Sequence, residues 1–280
     1  MVHGFTFALP SRRRLWAAIS LVLFLWLGGA LLSSAADYGT TPSQPQAQLG
    51  PHPFDYPERI EYVASWNGIP LASAKIQAAP SVVDGKSLYE VKVSAQTWRY
   101  LDPIWKMRDT VESLFDAGSV YPRRFIFRQR ENRKSVDTTA NFDPGAQKWI
   151  VRRQNGNKVQ NSEFIAPRTF DPISATYWAR TLDFKVGDSI QLEVFGGKSF
   201  YRVILNVVGR EKVAVKAGEF DAYKIVPQVF NLSKSGLAEK VREATVWISA
   251  DDARMPVKIN SKVTIGSVSI EMVRKSAGAL

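Results

Sequence analysis

The sequence has no cysteine and very little histidine, since His3 and His52 are the only two histidines among 280 residues. Without cysteine the chain cannot form disulfides, thiolate metal sites, cysteine nucleophiles or a lipid-modified N-terminal cysteine. Both histidines lie outside the part of the chain that is predicted to fold. This argues against a histidine triad, a zinc site or a histidine general base. We therefore expect no cofactor and no metal site.

The first 36 residues resemble an export signal. Three arginines at 12–14 precede the apolar run 15–32, and the small residues Ser33–Ala36 follow it. This order predicts a signal peptide with cleavage before Asp37, by the general or the twin-arginine route. The run is also close to the ~20 residues that span a bilayer, so an uncleaved inner-membrane anchor facing the periplasm is the alternative. We expect a periplasmic protein that touches the membrane only through residues 15–32, if at all.

The chain carries a net charge of +11, and subtracting the three leader arginines, which no acid balances, leaves +8 for the remainder. A basic exported protein is expected to meet anionic envelope material, such as lipid head groups or acidic glycans. A generally basic soluble surface would give the same net charge. Export separates the chain from nucleic acid, so nucleic acid is not an expected partner.

Residues 37–56 are rich in proline and glutamine and have no apolar period, which predicts a disordered linker. From residue 57 to about 275 the pattern is that of one β domain. Short alternating runs are separated by turn signals, and Asn67-Gly68 and Asp84-Gly85 are the clearest hairpin signals. The fold class predicted is all-β and mainly antiparallel, either a curved open barrel or a two-layer meander, with one short helix packed on it.

The exception to this strand pattern is the stretch Phe170–Phe184. Asp171 can cap a helix and Pro172 suits the first helical position. Ile173, Tyr177 and Trp178 then fall on one apolar stripe, so we predict a helix over about 171–183 that acts as the plug or lid of the sheet.

Several short motifs follow one another in a fixed order along the chain. They are W-N-G-I-P-L-A at 66–72, R-D-T-V-E-S at 108–113, F-D-P at 142–144, D-P-I-S-A-T-Y at 171–177, V-G-R-E-K-V and A-G-E-F-D-A-Y within 208–223, and W-I-S-A-D-D-A-R-M-P-V at 247–257. This succession resembles that of DUF3108, a family of exported bacterial proteins. The similarity runs from about residue 58 to 273 and implies a β-rich envelope protein with no established reaction and no catalytic residues to carry over. The general shape also resembles periplasmic lipoprotein carriers, a likeness of fold alone.

Two groups of residues are candidates for ligand binding. If 121–134 is one strand, Arg124, Arg128 and Arg130 share a face and form a cationic row that suits phosphate or carboxylate. Charged rows on exposed sheet faces also serve solubility. The second group is aromatic and could line a cleft for sugar rings or acyl chains, although core filling is the commoner use. Its members are Trp98, Trp105, Tyr177 and Trp178, with Arg99 among them.

The carboxylates do not form a convincing catalytic pair. Asp251 and Asp252 are adjacent in a predicted turn, where Asp251 serves to make the turn, and Asp109 and Glu112 differ in strand parity. We expect Asp109 to pair with its neighbour Arg108. Nucleotide-binding and serine-hydrolase motifs are absent.

We therefore predict a non-enzymatic envelope protein that binds an amphipathic or anionic envelope component, in a concavity that the helix partly covers. A scaffold that binds another envelope protein is the alternative, and a carboxylate-based hydrolase the weakest. A binder should show a cavity of several hundred Å³ with a cationic mouth, and a scaffold a filled core with an exposed patch.

Overall fold

A computed structural model describes residues 57–166, 169–233, 244–263 and 266–277, and within them the chain forms fourteen strands and one α-helix. The predicted signal peptide (1–36) and linker (37–56) lie outside these residues. No helix in the described ranges is long and apolar enough to cross a bilayer. The elements are β1 Glu58–Trp66, β2 Ile69–Val83, β3 Lys86–Thr97, a 3₁₀ helix Arg99–Leu101, β4 Arg108–Asp116, β5 Pro122–Glu131, β6 Lys134–Asp143, β7 Lys148–Asn155, β8 Lys158–Ile165, α1 Pro172–Ala179, β9 Ser189–Phe195, β10 Phe200–Val215, β11 Gly218–Asn231, β12 Ala244–Ser249, β13 Pro256–Lys262 and β14 Ser267–Ala277.

The strands form one antiparallel sheet in which almost every strand pairs with its neighbours along the chain. The exception is at the centre, where β1 pairs with β14, from Glu58 opposite Ala277 to Trp66 opposite Val268. The two edges of the sheet are therefore β8 and β9, which come from the middle of the sequence. This architecture confirms the prediction of an antiparallel β fold with one short helix.

The hairpins follow the turn chemistry read from the sequence. Asn67 and Gly68 have φ angles of 47° and 84°, and Asp84 and Gly85 have 51° and 72°. A type I′ turn, whose twist matches that of the paired strands, requires positive φ at both central residues. Asparagine, aspartate and glycine adopt positive φ at the lowest energetic cost.

The sheet curls until its two edges approach each other through aromatic rings. The ring of Phe164 on β8 lies 5.2 Å from that of Phe195 on β9 and 5.9 Å from that of Phe200 on β10. The segment before the helix adds a short parallel bridge to β9, because the Phe170 N–H donates to the Glu193 carbonyl at 3.0 Å and Phe170 accepts from the Phe195 N–H at 2.7 Å. The curled sheet encloses helix α1.

Helix α1 begins as predicted and ends earlier. Asp171 accepts hydrogen bonds from the backbone N–H groups of Ile173 and Ser174, and Pro172 occupies the first turn. The helix stops at Ala179 rather than near residue 183, because the backbone then tightens into i→i+3 bonds at Thr181 and Leu182 (donors to Trp178 and Ala179). The predicted single apolar stripe was also wrong, since the enclosed helix is buried on almost every side.

Candidate functional site

The arginine row on β5 alternates as the sequence predicted. Phe125 and Phe127 point into the core, whereas Arg124, Arg128 and Arg130 lie on the outer face. The strand ends at Glu131, and the residues beyond it form a turn into β6.

Most of the charge on this row is neutralised by the neighbouring strands. Arg128 Nη1 lies 2.5 Å from Glu112 Oε1 on β4, and Arg130 Nη1 lies 2.6 Å from Asp137 Oδ1 on β6. Among the described residues Arg124 alone of the three has no ion pair. Two of the three guanidinium groups are therefore already engaged by carboxylates.

The carboxylate of Asp109, beneath the same strands, was assigned to the wrong partner. Arg108 pairs instead with Asp102, at 2.9 Å. Asp109 is buried and its Oδ1 accepts the backbone N–H of Arg130 at 2.6 Å, where the ladder between β4 and β5 ends. Burial raises the pKa of Asp109 to about 6.

The predicted aromatic cleft residues separate into two groups. Trp105, Tyr177 and Trp178 belong to the core, with at most 5% of their surface exposed. The Tyr177 ring packs 5.4 Å from Phe115 and the Trp178 ring 5.2 Å from Phe170. These side chains hold the helix to the sheet.

Trp98 and Arg99 are exposed on the loop between β3 and β4, and Trp98 keeps 44% of its surface accessible. The structure thus distributes the predicted site residues over three places: the outer face of β5, the β3–β4 loop and the core. They do not converge on one cleft.

A buried ion pair that the sequence did not reveal anchors the end of the helix. Arg180, the C-cap residue, donates through both Nη atoms to Glu58 at 2.6 and 3.0 Å, and the Tyr177 hydroxyl donates to the same carboxylate at 2.5 Å. Burial works to lower the pKa of Arg180, but the Glu58 carboxylate outweighs it, so the pKa is raised. Arg180 Nε also donates to the carbonyl of Ala253 at 3.1 Å, which ties the helix to the β12–β13 turn.

A cavity of about 300 Å³ lies next to that turn, between the tip of the β10–β11 hairpin and the end of β14. Five residues of its lining are apolar, of which Phe220, Met255 and Met272 are the largest, and three are cationic. Both methionines are almost completely buried. The remaining contacts come from the hairpin tip, the turn and β14, and the whole lining is Lys216, Ala217, Phe220, Asp251, Met255, Met272, Val273, Arg274 and Lys275.

Two backbone features assemble this cavity. The Ala217 N–H donates to the Met272 carbonyl at 3.1 Å, so the hairpin tip is docked on β14. A bulge on β14 leaves Val273 without a partner, because Met272 lies opposite Tyr62 and Arg274 lies opposite Glu61. A regular strand presents every second residue to one side, whereas here four consecutive residues line the cavity.

The charges of the cavity are not balanced. Lys216, Arg274 and Lys275 are exposed at its mouth, and none of them lies in an ion pair with a described carboxylate. Asp251 is the acid in the lining and accepts the hydroxyl hydrogen of Ser249 at 2.6 Å. The cavity therefore combines an apolar floor with a mouth of net charge about +2 at neutral pH.

A metal centre finds no support in the described part of the chain, where no group of three or more histidine, cysteine, aspartate or glutamate residues could hold an ion. No local pattern in the sequence signals the β14 bulge. The cavity depends on three segments that are distant in the sequence and meet only in the folded sheet: the β10–β11 hairpin tip, the β12–β13 turn and β14.

Comparison with solved structures shows the same fold in another protein. A β-barrel-like protein of domain of unknown function DUF1849 from Brucella abortus is 10% identical, with a TM-score of 0.55 over 81% of this chain and 99% of that chain. An exported-protein candidate with a YmcC-like fold from Bacteroides fragilis and a provisionally assigned lipoprotein from Parabacteroides distasonis are each 10% identical. Their TM-scores are 0.35 and 0.39, and each match covers 80% of this chain and 98% of the other.

No curated protein matches the chain. The family model for DUF3108, described as a protein of unknown function, matches residues 61–273 and includes the curled sheet, helix α1 and most of the cavity lining. The chain therefore belongs to the DUF3108 family.

Proposed function

We propose that this protein is a non-enzymatic component of the bacterial cell envelope that binds an anionic amphiphile in the cavity between the β10–β11 hairpin and β14. The observation that carries the proposal is the cavity lining, where three cations without ion pairs in the described chain surround an apolar floor. Such a lining is complementary to a molecule with an acidic head and an apolar body, whether its source is a lipid or an acidic glycan.

The size of the cavity defines which part of such a molecule it takes. A volume of about 300 Å³ is at the lower end of small-molecule sites, so it suits a phosphate or carboxylate head group with the first part of a chain or ring. Arg274 supplies a planar fork that can bind two oxygens at once, and Lys216 and Lys275 add flexible point charges. Phe220, Ala217 and Val273 provide the accessible apolar contact, because Met255 and Met272 are almost completely buried.

A binding role accounts for the cavity better than hydrolysis does. Carboxylate-based hydrolysis needs two carboxyl groups facing one cleft. The lining contributes one, Asp251, whose oxygen already accepts a hydrogen bond from Ser249. These observations support a protein that holds its ligand without transforming it.

The proposed location is the periplasm, with an inner-membrane anchor as the alternative if residues 15–32 are retained. Support comes from the order of charged, apolar and small residues in 1–36. A periplasmic position would expose the cavity to lipid head groups and acidic glycans, the anionic molecules that are abundant there.

The proposal is tested by titrating the full-length protein with dihexanoyl phosphatidic acid, dihexanoyl phosphatidylcholine and glucuronic acid, followed by native mass spectrometry and calorimetry. We expect binding of the anionic probes and weak binding of the zwitterionic one. The double variant Lys216→Ala/Arg274→Ala should bind the phosphatidic acid about tenfold or more weakly, because it removes two charge-assisted contacts.

The matched control is Arg128→Ala/Arg130→Ala, which removes two cations from the β5 row and should change the affinity less than about twofold. Preference for glucuronic acid over phosphatidic acid would assign the ligand to glycans. Absence of binding by all three probes, or an equal loss in both double variants, would refute the cavity as the site.

A further inference from the structure

An exposed apolar patch lies at the end of the sheet away from the cavity. Four large apolar side chains there each expose 44–64% of their surface to solvent. We call them the rim patch: Ile69, Trp98, Tyr100 and Ile104. The cavity is at the start of β1, where Arg274 faces Glu61, whereas the rim patch adjoins its end at Trp66. The five residue-to-residue steps from Glu61 to Trp66 span about 17 Å.

The two turns that carry the rim patch are joined by hydrogen bonds. The Trp98 N–H donates to the Leu71 carbonyl at 3.0 Å, and the Tyr100 hydroxyl donates to the Pro70 carbonyl. The β1–β2 hairpin and the β3–β4 loop therefore present their apolar side chains side by side.

The loop that carries the rim patch is rigidly built. Arg108 donates to both carboxylate oxygens of Asp102, at 3.0 and 2.9 Å, and also to the Thr97 carbonyl at 3.1 Å. Trp105 is buried beneath the loop, and its carbonyl accepts from the Thr97 hydroxyl at 3.2 Å. One tryptophan thus anchors the loop in the core while the other, Trp98, is held outward.

Three cations flank the rim patch, together with one acid, Glu131, which lies opposite Met107. Arg99 and Lys106 belong to the loop, and Arg133 lies on the next turn, where the backbone of Asn132 and that of Lys106 are hydrogen-bonded at 2.8 Å. All three cations are exposed, and no described carboxylate pairs with them. Asp102, the acid of the loop, is committed to Arg108.

We infer that the rim patch docks on an anionic lipid bilayer. Tryptophan and tyrosine favour the boundary between head groups and acyl chains because one end of each ring system is apolar and the other polar. The three flanking cations complement acidic head groups, whose negative surface potential attracts basic residues. The apolar side chains would enter the bilayer surface and the cations would contact its phosphates. This orientation leaves the cavity facing away from the membrane, and the inference holds whether or not the cavity binds a ligand.

The absence of cysteine permits a local test in the full-length protein, since one introduced thiol carries the only label. In Ile104→Cys an environment-sensitive fluorophore reports on the rim patch, and in Val82→Cys it reports on another exposed apolar residue, on the β2–β3 hairpin. With vesicles of equimolar phosphatidylglycerol and phosphatidylcholine we expect a blue-shifted, brighter emission at residue 104 and no change at residue 82. A leader retained in the membrane affects both labels alike, so their difference remains diagnostic.

In the Ile104→Cys background, Arg99→Gln/Lys106→Gln should weaken vesicle binding about tenfold and reduce its salt dependence, because two cations are lost. Trp98→Ala should weaken vesicle binding to a similar degree through lost interfacial contact, and Ile69→Ser replaces it as the test variant if Trp98→Ala fails to fold.

The cavity variant Lys216→Ala/Arg274→Ala should bind vesicles as the parent does, which separates this inference from the proposed function. Equal responses on pure phosphatidylcholine, equal responses at residues 104 and 82, or no response at either would overturn the inference.

Discussion

The arginine row on β5 and the cavity beside β14 present a similar number of cations, and only their surroundings differ. Arg128 and Arg130 face Glu112 and Asp137 on the two flanking strands, at 2.5 and 2.6 Å. At the cavity the cations converge from a hairpin tip and a bulged strand end, and Glu61, the carboxylate opposite Arg274 in the ladder, pairs with Lys75 instead, at 3.6 Å. Whether a cation is available for a ligand therefore depends on the side chains of the neighbouring strands and not on its neighbours in the sequence.

Arg180 extends this comparison to a fully buried cation. Its pair with Glu58 exposes 2% of the arginine side chain and 7% of the glutamate side chain, and it also supports the turn that carries Met255 and Asp251. Arginine thus stabilises the buried core at Arg180, forms surface ion pairs at Arg128 and Arg130, and lines the candidate ligand site at Arg274.

The largest effect is expected from breaking the buried pair. Glu58→Ala leaves the Arg180 guanidinium buried without a counter-charge, so the free energy of unfolding should fall by about 3–5 kcal/mol. Because Arg180 also holds the carbonyl of Ala253, binding of the anionic probe in the cavity should weaken as well. Denaturant unfolding measures the first effect and calorimetry the second.

The double variant Glu58→Leu/Arg180→Met removes both charges and should restore most of the stability. A loss below about 1 kcal/mol for Glu58→Ala would show that the pair behaves like an exposed one.

A second effect concerns a buried acid and depends on pH. Burial raises the pKa of Asp171 to about 6 from 3.8, although its hydrogen bonds with Ser113, Ser174 and Ile173 oppose the shift. The folded state therefore holds the proton more tightly than the unfolded state. The stability linked to this group is complete below pH 3.8 and is lost as the pH rises through about 6, by about 3 kcal/mol.

Asp171→Asn keeps a capping oxygen and removes the ionisation. We expect the decline in unfolding free energy between pH 4 and pH 7 to become shallower, measured by urea unfolding across that range, with the residual slope partly due to Asp109, whose pKa is raised in the same direction. Parallel curves for the variant and the parent would contradict the assignment of the slope to Asp171.

The smallest effects distinguish the row from the cavity most directly. Arg128→Ala breaks a partly exposed ion pair and should lower the free energy of unfolding by about 0.2–1 kcal/mol. Arg274→Ala removes a cation that has no described partner and lies near two like charges, so stability should stay within about 0.5 kcal/mol or rise slightly. Thermal unfolding of the two variants at low and moderate salt is sufficient. A larger loss for Arg274→Ala than for Arg128→Ala would reverse the comparison.

Local signals in the sequence predicted local structure well. The hairpin turns at Asn67-Gly68 and Asp84-Gly85, the cap at Asp171 and the alternation of β5 each depend on residues within a few positions of one another. The antiparallel fold and the single helix follow from such signals.

Contacts between distant segments could not be predicted in the same way. The Glu58–Arg180 pair joins residues 122 positions apart, and the cavity requires a bulge at Val273 that no residue type announces. The exposure of Trp98 and the burial of Trp105 also depend on how one loop folds back onto another strand. The predicted site residues accordingly lie in three separate places and do not share one cleft.

The pairing of β1 with β14 has a consequence for how the molecule is made. Synthesis from the N-terminus produces β1 first, yet the second hydrogen-bonding edge of that strand stays open until residues 267–277 have been made. Sequence-distant pairings of this kind close slowly, because the intervening chain must be ordered before they form. The centre of the finished sheet is thus the last part to be completed, and loss of a few C-terminal residues would disrupt its middle rather than its edge.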